Sequence, residues 1–216
     1  ITANEAPVPL PDSSKIILHL VPFRAFEAGV QFDLTSFSSP SRPELLFPIY
    51  ANGYNGPQYN FDGVLTVSRD RNLPHAFSYL QIFRNGIIEA VDVSLLERTV
   101  DREPYIPSVA YEQALIEAVP RFLSVQQELG VDLPVALMLT LAGIRGYRMA
   151  VSSSMIRRGA DVVVDRDLLL LPEAIVYDYS DNPKILLRPS FDAVWNATGW
   201  PQSINYNAEG DWAPRR

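Results

Sequence analysis

Two stretches of this chain place aromatic rings beside carboxamides, a combination that can hold small polar ligands through apolar faces and oriented hydrogen bonds. The first is Tyr50–Gly63, YANGYNGPQYNFDG, which carries Tyr54, Asn55, Tyr59, Asn60 and Asp62. The second is Trp195–Trp212, WNATGWPQSINYNAEGDW, which carries Trp200, Asn205 and Tyr206. Together these residues form the candidate ligand-binding set, and a sugar or a nucleotide is the class of ligand that they suit. The same composition also serves structure alone. Asn-Gly and Asp-Gly make turns, while Tyr and Trp close the edge of a core. On the sequence the glycines read as turn formers, and Tyr54, Tyr59 and Asn60 stay open between the two accounts.

Charged side chains give two weaker constellations. Arg145, Arg148, Arg157, Arg158 and Arg166 crowd one region and are the candidate contacts for phosphate or nucleic acid, against the alternative of a solvated face. The whole chain, at 216 residues, has a formal charge of −7, unlike a domain that grips nucleic acid through a basic face. Asp165, Asp167 and Glu173 form a carboxylate group that a metal-dependent hydrolase or nuclease could use; solvated turn acids are the other reading. The two histidines, His19 and His75, are far apart, and there is no cysteine, so thiolate catalysis, disulfides and zinc-thiolate sites are excluded. No phosphate-binding loop, dinucleotide-binding glycine pattern or nucleophile elbow occurs. No catalytic residue, metal ligand or particular cofactor is therefore assigned.

The elements that position these residues read as mixed α and β. Residues 1–14, with Pro7, Pro9 and Pro11, favour extended backbone and read as a linker from an upstream domain. Residues 15–216 read as a single domain, with 47% hydrophobic residues to fill its core. Lys15–Phe23 is an apolar strand, and Val30–Leu34 a second. Phe77–Val93 is a hairpin turning at Asn85-Gly86, expected as a two-residue turn that sets Phe83 opposite Ile88 and Tyr79 opposite Asp92, with both faces covered. Phe61–Arg69 adds a meander strand beside it.

Ser108–Gly130 is a helix with Ser108 as N-cap, Glu112 in its early turns, Pro120 as a kink or break, and Gly130 just past its end. Pro134–Gly143 is a central strand, Tyr147–Val151 returns antiparallel to it, and Ser152–Asp161 is a surface loop. Leu168–Tyr179 is a strand bulged or placed at an edge by Pro172, and Arg188–Gly199 a short helix. The expected class is α+β, a mostly antiparallel sheet with at least two packed helices. No apolar run reaches the length of a spanning helix, so no membrane partner is expected and the cytoplasm is the expected compartment.

The segments GPQYNFDGVLT, SYLQIFRNGIIEAVD, IPSVAYEQALIEAVPRFL and FDAVWNATGWPQSINYNAEGDW resemble the C-terminal region of bacterial proteins that carry an upstream Schlafen-like, AlbA-type DNA-binding domain. The resemblance spans most of the chain after residue 14. It implies an accessory or sensor module attached to that upstream domain. With no complete catalytic motif in the chain, the reading is a non-catalytic domain for assembly or ligand sensing, with the upstream domain and a second copy as expected partners. Nucleic acid would be met through the upstream domain. It assigns no functional residue to this chain.

Overall fold

The computed structural model describes residues 6–51, 53–70, 72–97, 99–100, 103–151 and 162–214. Among them the chain builds β1 (Lys15–Pro22), β2 (Gln58–Tyr59), β3 (Gly63–Ser68), β4 (Ser78–Phe83) and β5 (Ile88–Asp92). Next come β6 (Thr99–Val100), β7 (Glu103–Ile106), α1 (Ser108–Glu128), β8 (Val135–Ala142) and β9 (Arg148–Met149). β10 (Leu168–Leu170), β11 (Ala174–Val176), α2 (Pro183–Leu186) and α3 (Arg188–Ala197) complete it. One antiparallel sheet runs β10-β8-β1-β5-β4-β3-β2, with β11 also on β8, and a smaller sheet runs β6-β7-β9. This is the α+β class expected.

Alternation along the strands divides the main sheet into two faces. Ile16, Leu18 and Leu20 of β1, Leu137, Leu139 and Leu141 of β8, and Leu80 and Ile82 of β4 point inward, into one core with Leu115, Val119 and Phe122 of α1. Ile17, Leu65, Val67, Tyr79 and Val91 form a separate cluster on the outer face. Residues 6–14 lie over that cluster: Ala6, Val8 and Leu10 pack on it, and the Ala76 amide donates to the Pro9 carbonyl at 2.9 Å. The hairpin is thus covered on both faces, by the core and by this arm.

Its register differs from the two-residue expectation by one position. Ile82 faces Ile88 and Tyr79 faces Val91, because Arg84, Asn85 and Gly86 all stand in the loop. The Gly86 amide donates to the Phe83 carbonyl at 3.0 Å and Gly86 holds φ +84, the conformation of a three-residue loop ending in a bulge. One slipped residue exchanges the faces of the second strand, so Ile88 and Ala90 go to the core and Val91 to the outer face.

Other expectations are corrected locally. Residues 30–34 form no strand, since Phe32 crosses the hairpin tip with a backbone bond to Arg84 and then turns into a 3-10 segment at Thr35–Ser38. Ser108 is the first helical residue, not the cap; Pro107 precedes it and no side chain caps the helix. Pro120 does not divide α1, which runs unbroken from Ser108 to Glu128 with the proline on its solvent side. β9 runs parallel to β7 rather than back along β8, with Tyr105 opposite Arg148. Pro172 separates β10 from β11, both on β8, as an edge interrupted by a residue without an amide donor requires.

Candidate functional site

The loop before β3 is locked at one end and open at the other. Asn60 accepts the Gly63 amide at 2.8 Å and donates to Gln81 Oε1 at 2.7 Å. Tyr59 donates its hydroxyl to the Leu34 carbonyl at 2.7 Å. Gly63 is required there, since a Cβ would stand 2.0 Å from the Ile82 carbonyl oxygen. Asp62 is exposed, and its carbonyl receives the Arg84 amide.

Upstream, Tyr54 is half-buried with its ring edge-on to Phe47 at 5.6 Å, and Asn55 is tied by its backbone to Val67 while its carboxamide faces solvent. Burial, with a lesser contribution from the Glu44 charge, raises the Tyr54 phenol, which stays neutral and able to donate. Tyr54, Asn55, Arg69 and Leu73 line a depression of about 650 Å³.

The C-terminal cluster closes on Glu112, a fully buried carboxylate. Its Oε1 accepts the Trp195 indole and the Ser203 hydroxyl, each at 2.8 Å. Its Oε2 accepts the Asn205 amide at 2.9 Å and the Trp212 indole at 2.7 Å. Burial raises the Glu112 pKa; the four donors work against that shift without cancelling it. Tyr206 donates to the Lys184 carbonyl at 2.6 Å and lies 4.9 Å beneath the Arg188 guanidinium, while Trp200 packs edge-on to Trp195 at 5.7 Å. Asn205 and Tyr206 thus direct their polar groups inward. Glu112 was visible in the sequence only as an acid early in a helix, and nothing there marked it as the acceptor for partners 83 to 100 residues away.

The charged candidates do not converge. Arg145 donates to the Asp165 carbonyl, Arg148 sits in β9, and Arg157 and Arg158 lie outside the described residues. Asp165 pairs with Arg166 at 2.8 Å, and this contact holds its carboxyl below the usual range. Among the described residues no group of three His, Asp or Glu side chains is placed to hold a metal ion.

Two further polar systems, one half-buried and one buried, escaped the sequence reading. On the outer face His19 bonds Glu89 Oε2 at 2.9 Å and Tyr79 donates to Glu89 Oε1 at 2.7 Å. Burial pushes the Glu89 pKa up, but the His19 and Tyr79 hydrogen bonds outweigh it and leave the group below its ordinary value. Asp92, at the end of β5, accepts the Leu95 amide at 2.8 Å, and burial pushes its pKa up to about 7.

The outer face is itself unevenly covered. The arm lies over the half that carries Ile17, Leu65, Val67, Tyr79 and Val91, with Ala142 of β8 at its margin. On the other half Met138, Leu168 and Leu170 are 39%, 47% and 76% exposed. The register places them together there, with Leu168 opposite Ala142, Leu170 opposite Thr140, and Met138 opposite His19. Among the described residues no helix is long and apolar enough to cross a membrane. Comparison of the chain with protein-family models, with curated proteins and with solved structures finds no match.

Proposed function

We propose that this chain is a non-catalytic assembly module of a longer, cytoplasmic DNA-binding protein, and that the uncovered half of its outer sheet face is the docking surface. The observation that carries this reading is the group Met138, Leu168 and Leu170, exposed on one face of β8 and β10 while Leu137, Leu139 and Leu141 of β8 are buried on the other. Contiguous apolar surface of this kind marks interfaces more often than it marks free surface. The arm supports the same reading, because it runs over the neighbouring half of that face. Contact with DNA would fall to an upstream DNA-binding domain, in keeping with the acidic charge here.

Light scattering of the chain across a concentration series is the first test, run beside Leu170→Asp. A dimer that the substitution dissociates supports assembly through this face. If the chain is monomeric, hydrogen exchange on the longer protein should show protection at 138 and 168–170 that Leu170→Asp removes. Absence of both self-association and protection would reject the reading.

A further inference from the structure

Arg69 differs from every other cation among the described residues. Arg24, Arg42, Arg166 and Arg188 have carboxylate partners. Arg84, Arg121, Arg145 and Lys15 donate to backbone carbonyls, and Lys184 lies over the Trp212 ring. Arg148 also has a partner. Arg69 is exposed at the end of β3 with no ion pair, hydrogen bond or ring contact among the described residues.

Its neighbours explain why it is left over. Asp70, the adjacent acid, is turned to its own loop, accepting the Asn72 amide at 2.8 Å and the Asn72 side chain at 3.0 Å. Glu44, the acid felt by the Tyr54 hydroxyl, lies 3.7 Å from Arg42. An unpaired guanidinium beside a neutral phenol, an exposed carboxamide and a 40% exposed leucine is a set of groups facing one depression with no internal use.

We propose that the Tyr54–Asn55–Arg69–Leu73 depression binds a small planar ring bearing a single phosphate or carboxylate. The fork of Arg69 takes two anionic oxygens, a geometry that both groups present. Tyr54 and Leu73 supply the apolar walls for the ring, and the Asn55 carboxamide donates or accepts at its edge. The depression is of the size that holds a mononucleotide or an aryl acid. It sits at the β2–β3 edge of the sheet, opposite the β10 edge used for docking, so it stands or falls apart from the assembly reading.

Calorimetric titration with phenyl phosphate, adenosine monophosphate and benzoate tests it, with inorganic phosphate and adenosine as controls. Saturable binding of at least one ring-bearing anion is expected, weakened about tenfold or more by Arg69→Ala. Tyr54→Ala should weaken it as well, with some loss of stability as the ring contact with Phe47 goes, while Arg69→Ala should keep the parent's thermal midpoint. A nucleotide that outcompetes the aryl acids identifies the nucleotide source; the reverse identifies an aromatic acid. No saturable binding of any ring-bearing anion, or binding that survives Arg69→Ala, would overturn the site. Inorganic phosphate binding as tightly as phenyl phosphate would overturn the ring.

Discussion

The two aromatic and amide clusters look alike in sequence and end in opposite states. The C-terminal cluster folds around one carboxylate, with Trp195, Ser203, Asn205 and Trp212 all donating to Glu112. The cluster before β3 has no such acceptor. Tyr59 and Asn60 settle on a carbonyl, an amide and Gln81, while Tyr54 and Asn55 are left facing Arg69. What separates a structural cluster from a candidate binding cluster is whether the fold supplies a buried counterpart for the donors. Composition alone carries no information on that point.

The largest effect should come from removing the shared acceptor. Glu112→Ala strands four donors, two of them indoles, and should cost about 3–5 kcal/mol, as does breaking a buried charged network at one partner. Chemical denaturation measures the loss, and a red shift of tryptophan emission should accompany it as Trp195 and Trp212 meet water. Glu112→Gln should fall between, because its amide nitrogen must face one pair of donors whichever way it is turned. A Glu112→Ala protein as stable as the parent would remove the contrast between the clusters.

A second experiment sharpens the role of donors by using a carboxylate held by a backbone amide and a serine hydroxyl rather than by indoles. Asp92 is as buried as Glu112 but lacks indole partners, and its pKa moves from 3.8 to about 7. An acid whose folded pKa is raised holds its proton more tightly in the folded state. Its contribution is complete below about pH 4 and is lost as pH rises toward about 7. The full shift corresponds to at most about 4 kcal/mol. Glu112 acts with the same sign and Glu89 with the opposite one, so the readout is the difference between parent and Asp92→Asn. Relative to the parent, Asp92→Asn should gain stability as pH rises through that window. A constant difference across it would show that Asp92 does not titrate there.

These contrasts also mark what the sequence could convey. The strands were legible in β1, β4, β5 and β8 because uninterrupted apolar runs and Asn85-Gly86 are local signals. The register of the hairpin was not, since Asn-Gly serves both a two-residue turn and the longer loop that forms, and only packing of both faces selects between them. Of the candidate ligand residues, Tyr54 and Asn55 were named from composition, yet Arg69 and Leu73 join them only because the Asn55 amide is tied to Val67 near the end of β3. Glu112 had no local signature at all. Its partners arrive from a segment that the helix meets only in the folded chain.

The smallest predicted effect separates the two ends of the loop directly. Tyr59→Phe removes a hydroxyl that donates to the Leu34 carbonyl and should cost about 1 kcal/mol, the usual net value of one neutral hydrogen bond. Tyr54→Phe removes a hydroxyl with no internal partner among the described residues, while its ring keeps the contact with Phe47, so stability should hold to within about 0.5 kcal/mol. Denaturation midpoints of the two variants beside the parent give the comparison. Equal losses would mean that the Tyr54 hydroxyl is also bound internally, and the depression would then lose the donor that sets it apart from the cluster around Glu112.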